Sequence, residues 1–67
     1  MEVKIRNKYN IVIGWVRTYG KTRQAISLKK GYVGRYDETM DITFDKDGKI
    51  YAYGDATDTL VRMSDNS

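Results

Sequence analysis

Hydrophobic and polar residues alternate along most of the chain, in the pattern of half-buried β-strands. Val3 and Ile5 alternate with charged residues over positions 2–6, and positions 11–18 are rich in β-branched side chains. This period of two indicates strands, because successive side chains of a strand point to opposite faces of the sheet. Further short strands are predicted at 22–29, 32–36, 40–45 and 50–53. The sequence therefore predicts about six short antiparallel strands joined as hairpins.

The breaks between these patterns contain residues that favour tight turns. Gly20 can adopt the positive φ that a short hairpin requires. Asp47 and Gly48 stand between two strand patterns, and an Asp-Gly pair at the two central positions predicts a type I′ turn.

The pattern near the C-terminus fits two structures. Residues 56–63 fit either a short helix, capped by Asp55 or Thr57, or a last strand, and we favour a short helical turn. Residues 64–67 are expected to form a disordered tail.

A single all-β domain over residues 1–63 is predicted, because a chain of 67 residues is too short to form two cores. We expect its hairpins to close into a small barrel, an SH3-like roll or a radial β-flower. A flat sheet of this size would leave its edges unprotected. Formation of an oligomer is a second way to cover such edges.

One short unit recurs three times, at residues 10–16, 30–36 and 48–54. In each copy a large apolar or aromatic residue stands directly before a small one, and the three pairs are Ile13-Gly14, Val33-Gly34 and Tyr51-Ala52. These pairs are 20 and 18 residues apart, a spacing that predicts repeated hairpins.

The third copy resembles the repeating unit of the small bacterial and phage domains called β-flower proteins. Their hairpins follow an Asp-x-x-Gly-x-x-x-[Gly/Ala]-aromatic pattern, which residues 45–53 match. The first copy fits with Asn10 in place of Gly, and the second fits in part, because Gly31 falls one place late and Arg35 replaces the aromatic residue. The resemblance covers about two thirds of the chain. It implies a repetitive β fold in a bacterial, phage or prophage protein and carries over no catalytic or ligand residues.

The composition argues against several classes of function. The chain has no Cys and no His, so it lacks disulfides, thiol and imidazole metal ligands and the usual proton shuttle. No residue pattern indicates a catalytic centre, and we expect a non-enzymatic protein with no cofactor and no small-molecule substrate. No segment approaches the roughly 20 apolar residues of a membrane span, and no signal-peptide pattern follows Met1. These features predict a cytoplasmic protein that has no membrane partner, and the resemblance to β-flower proteins implies that its cell is a bacterium or a phage-infected host.

Charge is divided unevenly between the two halves. Residues 1–35 carry nine cations and one carboxylate, and residues 36–67 carry three cations and eight carboxylates. The net charges of +8 and −5 combine to the overall +3. Such a division can create a basic face for phosphates, or it can hold two halves or two molecules together.

The basic half contains the best candidate for contact with a partner. Residues 17–24 form a predicted hairpin with three cations and a tyrosine, and such residues bind the phosphates and bases of nucleic acid. The candidate residues for binding nucleic acid or another partner are Arg17, Tyr19, Lys21, Arg23, Lys29, Lys30 and Arg35. The alternative is a solvated hairpin whose cations prevent aggregation of a sheet edge. Trp15 is expected to lie in the core, because a lone tryptophan in an apolar strand of a small domain is usually buried.

Three functions remain open from the sequence. The leading hypothesis is an interaction or assembly module that binds a protein partner or associates with itself, the basic half of one molecule meeting the acidic half of another. The alternative is a nucleic-acid-binding protein that uses the hairpin at residues 17–24. A second alternative is a phage inhibitor that presents carboxylates to a host protein.

Overall fold

The computed structural model describes residues 1–66, which form one antiparallel sheet and one helix. The six strands lie side by side in chain order, so each pairs with its neighbours in sequence. They are β1 (Glu2–Arg6), β2 (Val12–Tyr19), β3 (Thr22–Ser27), β4 (Gly31–Asp37), β5 (Ile42–Asp45) and β6 (Ile50–Tyr53). Helix α1 (Thr57–Asp65) follows β6 and packs mainly against β2, β3 and β4. The prediction of six antiparallel strands is confirmed.

The sheet is open, because β1 and β6 each have a neighbouring strand on one side only. Residues 1–66 therefore do not form the closed barrel that was one of the predicted arrangements. The physical reason is the helix: α1 covers the apolar side of the central strands, so the sheet does not have to curl onto itself to bury that side.

The core lies between α1 and the central strands. Leu60 and Val61 of the helix are buried against the sheet, at 6% and 0% exposure. The buried apolar residues in mutual contact are Ile5, Ile13, Val16, Ala25, Val33, Leu60 and Val61. Burial of a Val, Leu or Ile side chain contributes about 1.5–3 kcal/mol, so this one cluster provides most of the apolar stabilisation of a small domain.

Three of the five hairpins, β1–β2, β3–β4 and β5–β6, each contain one β-bulge at the same place in the repeated unit. The strand pairing skips Ile13 between β1 and β2, Val33 between β3 and β4, and Tyr51 between β5 and β6. An extra residue in one strand interrupts the alternation of side chains. Ile13 and Val33 therefore join the buried cluster beneath the helix, next to the small residues that follow them. The unit that recurs in the sequence is thus the second strand of a hairpin, interrupted by a bulge.

The glycine after each of the first two bulges allows the helix to approach the sheet. A Cβ atom on Gly14 would lie 2.6 Å from Val61 Cγ1, and one on Gly34 would lie 2.6 Å from Leu60 Cδ1. Both distances are far below ordinary van der Waals contact. The two glycines therefore determine how close α1 packs.

Two hairpin turns have the same geometry. The N–H of Gly48 donates to the carbonyl of Asp45 at 3.0 Å, and the N–H of Asn10 donates to that of Asn7 at 2.9 Å. The side chains of Asp45 and Asn7 also accept hydrogen bonds from the backbone of their own turns. Of the Asp47-Gly48 pair only Gly48 has a positive φ, of 83°, so the predicted type I′ geometry was wrong. A three-residue loop with its last residue in the left-handed region forms instead.

The helical alternative for residues 56–63 is confirmed, and the helix is longer than one turn. Asp55 Oδ1 accepts hydrogen bonds from the N–H of Thr57 at 3.1 Å and from its hydroxyl at 2.7 Å, which stabilises the start of α1. Ser64 and Asp65, assigned to a disordered tail from the sequence, form the last turn of the helix. Ser67, the end of that tail, lies outside the described residues.

The close packing at Gly14 generates a first prediction. Gly14→Ala should lower the free energy of unfolding by about 1–3 kcal/mol, because the new methyl group overlaps Val61 and the carbonyl of Ile26. Chemical denaturation followed by circular dichroism measures this change. Gly20→Ala is the control, since its methyl group would meet nothing within 4 Å and only its φ of 56° is unfavourable. A smaller loss for Gly14→Ala than for Gly20→Ala would contradict this role of Gly14.

Candidate functional site

The strand pairing divides the sheet into a helix side and an open face. Residues that pair across neighbouring strands lie on the same side, and sides alternate along each strand. Gly14 lies beneath Val61 and marks the helix side, so Trp15 lies on the opposite side. We call this opposite side the open face, because α1, the one element outside the sheet in residues 1–66, lies on the other side.

The open face combines aromatic, cationic and aliphatic side chains. Its rings belong to Trp15, Tyr19, Tyr32, Phe44 and Tyr53. Its cations are Lys4, Arg6, Arg17 and Arg35. Its carboxylates are Glu2 and Asp37, so four positive and two negative charges give the face a net charge of +2. Aliphatic residues, among them Ile26, Ile42 and Ile50, fill the space between these groups.

Two guanidinium groups lie against rings on this face. Arg17 Cζ is 5.5 Å from the centre of the Trp15 ring, and Arg35 Cζ is 4.6 Å from the centre of the Phe44 ring. Phe44 is only 9% exposed but does not belong to the cluster beneath the helix. Its shielding therefore comes from neighbours on the open face. A guanidinium above a ring is flat and cationic and keeps N–H donors available for an acceptor.

The rings differ in how far water reaches them. Tyr53 is 79% exposed and Tyr32 is 40% exposed. Trp15 is half-buried, and its indole N–H is shielded from water and has no acceptor in the described part of the chain. A shielded donor without an acceptor is uncommon in folded proteins.

Glu2 is the carboxylate closest to this set of cations. The Nε of Arg17 donates to Glu2 Oε2 at 2.8 Å, and this bond raises the pKa of Arg17, which therefore stays charged. Water and salt screen an exposed ion pair of this kind, so Arg17 can exchange its partner for a phosphate. Asp37 accepts hydrogen bonds from the backbone of the turn between β4 and β5.

Three of the seven candidate residues named from the sequence lie on the open face: Arg17, Tyr19 and Arg35. Arg23 lies on the helix side, where its guanidinium donates to Asp55 Oδ2 at 2.6 Å. The cations of the predicted hairpin are therefore distributed over both sides of the sheet.

The remaining three candidates lie in turns. Lys21 lies in the turn between β2 and β3, and Lys29 and Lys30 lie in the turn between β3 and β4. Lys29 Nζ donates to the carbonyl oxygen of Asp65 at 2.6 Å, and this bond joins the turn to the end of α1. Four of the seven residues thus lie away from the open face.

The expectation that Trp15 lies in the core was wrong. The alternation in the sequence placed Ile13 and Trp15 on one side, but the bulge turns Ile13 towards the helix and leaves Trp15 on the open face. One signal was available in the sequence: Trp15, Arg17 and Tyr19 are all large, and the residues between them are small.

Sequence reasoning also missed members of the open face outside the hairpin at residues 17–24. These are Lys4, Arg6, Tyr32, Phe44 and Tyr53. The missing information was the pairing of distant strands, which places Arg35 beside Phe44 and Trp15 beside Ile26.

The polar groups on the helix side have structural partners. Tyr36 donates its hydroxyl to Asp41 Oδ1 at 2.7 Å, which raises the pKa of Tyr36 to about 12 and keeps the phenol protonated at neutral pH. Within residues 1–66 no group of three or more acidic side chains is placed to hold a metal ion. In the same residues, no helix has the length and apolar character needed to cross a membrane.

Comparisons with known proteins give no relative for this arrangement. No protein-family model, no curated protein and no solved structure matches the chain.

The bond between Arg23 and Asp55 generates a second prediction. Burial alone would raise the pKa of Asp55, but hydrogen bonds from Thr57 and Arg23 hold it below the ordinary value of 3.8. A carboxylate with a lowered pKa in the folded state stabilises the fold above its unfolded-state pKa and loses this effect as the pH falls. Asp55→Asn should therefore lower the free energy of unfolding by about 0.5–1 kcal/mol at neutral pH. Below pH 4 the stability of this variant should fall less steeply with pH than the stability of the wild type.

Denaturation at a series of pH values measures this effect. Asp58→Asn is the matched control, because Asp58 also lies at the start of α1 but is exposed, and its partners are the neighbouring N–H of Thr59 and Arg62, four residues further on. If Asp58→Asn reduced the loss of stability in acid as much as Asp55→Asn does, the special role of Asp55 would be contradicted.

Proposed function

We propose that the protein is a non-enzymatic binding protein that holds single-stranded nucleic acid on the open face of its sheet. The observation that supports this proposal is the alternation of rings and guanidinium groups across that face, with Arg17 against Trp15 and Arg35 against Phe44. Single-stranded nucleic acid needs flat rings on which bases stack and cations that meet the phosphates. Both requirements coincide on this one surface.

One row of the open face illustrates the fit. Strand pairing aligns Arg17, Gln24, Arg35 and Phe44 on four neighbouring strands. Strands lie about 4.8 Å apart, so the two arginines stand about 10 Å apart with the amide of Gln24 between them. An amide both donates and accepts hydrogen bonds and can meet the edge of an unpaired base. The guanidinium groups of Arg17 and Arg35, on either side of Gln24, would bind the phosphates.

A duplex fits this surface less well than a single strand. Recognition of double-stranded DNA usually inserts a helix or a two-stranded ribbon into the major groove. Here α1 carries the exposed carboxylate of Asp58, and the cations that the six described strands present on the open face are Lys4, Arg6, Arg17 and Arg35. Exposed rings such as Tyr32 and Tyr53 need unstacked bases.

A protein partner, the leading expectation from the sequence, is supported less well on this face. Aromatic residues and arginine are enriched in protein–protein interfaces, whereas lysine is depleted there. The open face carries Lys4 beside Trp15 and a net charge of +2, which a polyanion matches. This is a reason to prefer nucleic acid as the occupant of the open face.

A third prediction tests the proposal by fluorescence anisotropy with a labelled single-stranded oligonucleotide of mixed sequence, titrated at several salt concentrations. Arg35→Ala should weaken binding and reduce the slope of log affinity against log salt by about 0.7, because one phosphate contact is lost. Arg62→Ala is the matched control, since Arg62 is an exposed arginine on α1, on the other side of the molecule.

A fourth prediction tests the rings. Tyr32→Ala should weaken binding by about 5- to 150-fold, as expected for the loss of one stacked base. Tyr9→Ala is the control, because Tyr9 is 71% exposed but lies in the turn between β1 and β2. Absence of binding at low salt, or equal losses in test and control variants, would contradict the proposal. A large loss for Lys21→Ala with little loss for Arg35→Ala would favour the hairpin tip instead.

A further inference from the structure

Strand β1 is an edge strand, and in residues 1–66 the hydrogen-bonding groups on its outer side face no other strand. The carbonyl oxygen of Met1 accepts from the N–H of Thr18 at 2.8 Å, so these two residues form a hydrogen-bonded pair. In an antiparallel ladder the bonded residues alternate. The backbone groups of Val3 therefore point towards β2, and those of Glu2 and Lys4 point outwards from the sheet.

The sequence of β1 is complementary to itself in one antiparallel register. If a second copy of β1 pairs with the first about a two-fold axis at Val3, Glu2 of each copy lies opposite Lys4 of the other. Opposite charges at such cross-strand positions are favourable, and a two-fold axis forms the pair twice. The register centred on Lys4 would pair Glu2 with Arg6 of the other copy, but it would place two lysines opposite each other at the axis. The register centred on Val3 has no repulsive pair and is therefore the preferred one.

The helix side of β1 offers apolar surface for the same partner. Helix α1 lies over β2, β3 and β4 and makes only a few contacts with β1. Val3 is 49% exposed and Met1 is 84% exposed, and with Ile5 and Val16 they form the apolar side of a cavity of about 330 Å³. The polar side of this cavity consists of Thr18, Arg23, Asp55, Thr57 and Asp58. A second copy in this register brings its own Val3 and Met1 to this cavity.

The other edge of the sheet is less suited to pairing. Strand β6 has four residues, Ile50–Tyr53, and contains the bulge at Tyr51. Short length and bulges are the usual means by which an edge strand is protected from pairing. Of the two edges, β1 is therefore the available one.

We propose that two copies of this chain associate through β1, antiparallel and centred on Val3, to form one continuous sheet. The sheet would comprise two sets of six strands, with both open faces on the same side. The association uses the backbone edge of β1, the open-face side chains of Glu2 and Lys4, and Val3 and Met1 on the helix side. It forms without nucleic acid, so it is tested separately from the proposed function.

Sedimentation equilibrium of the full chain without nucleic acid tests this proposal. The wild type should have twice the monomer mass of 7.8 kDa, with a measurable dissociation constant. E2K and K4E should each raise this constant by about tenfold or more, because two attractive pairs become repulsive. An equimolar mixture of the two variants should recover the dimer, since one chain then presents two cations and the other two carboxylates. Recovery in the mixture is not expected if the variants are simply misfolded.

A cross-linking experiment tests the register. In this register Val3 and Val3 of the second copy would form a non-hydrogen-bonded pair. The Cα atoms of such a pair lie about 4.5 Å apart, which is within the range that a disulfide spans. The natural chain has no Cys, so Val3→Cys can form a disulfide only between chains. Val3→Cys should cross-link at least tenfold faster than Lys4→Cys. It should also cross-link at least tenfold faster than Tyr53→Cys, a variant at the opposite edge that measures the rate of random collision.

Three results would overturn the proposal. They are a monomeric wild type at all concentrations tested, a dimer that both E2K and K4E leave intact, and cross-linking of Val3→Cys no faster than of Tyr53→Cys. Faster cross-linking of Lys4→Cys than of Val3→Cys would overturn the register. Since no nucleic acid is present, none of these results bears on the proposed function, which the anisotropy measurements test separately.

Discussion

The close approach of α1 to the sheet at Gly14 and Gly34 is the constraint on which the rest of the structure depends. The helix buries Leu60 and Val61 only because no Cβ stands between them and the strands. The bulges before the two glycines turn Ile13 and Val33 towards the same core. Helix packing, strand irregularity and the choice of small residues are therefore parts of one arrangement.

The location of the helix also explains why the open face has its composition. With the aliphatic core on one side, the large rings of Trp15 and Phe44 lie on the other, where neighbouring guanidinium groups shield them in part. A surface that had only to be soluble would carry fewer rings. Rings interleaved with cations on the uncovered side of the sheet are the feature on which the proposed binding rests, and the pairing of the strands brings them together from all six strands.

The sequence contained most of the local structure but little of the arrangement in space. Alternation predicted the strands, and the repeated pairs such as Ile13-Gly14 indicated the units that contain the bulges. The side on which Trp15 lies could not be read from alternation, because one bulged residue inverts every later assignment. The open sheet was missed for another reason: the C-terminal helix was expected to be one turn, too short to cover the central strands. The charge pattern indicated a basic half, but Arg23 is engaged by Asp55 on the helix side.

The third copy of the repeated unit shows why the first two copies contain glycine. Gly14 and Gly34 lie under Val61 and Leu60, where a methyl group would overlap the helix. The corresponding residue in β6 is Ala52, and α1 packs over the opposite part of the sheet, on β1 to β4. A methyl group on Gly14 or Gly34 would lie even closer to a carbonyl oxygen of the next strand, that of Ile26 in β3 or that of Phe44 in β5, than to the helix. Ala52 lies in the edge strand β6, which has no next strand on that side. Three similar units thus differ at the position where their surroundings differ, because the next strand and α1 together require the glycine.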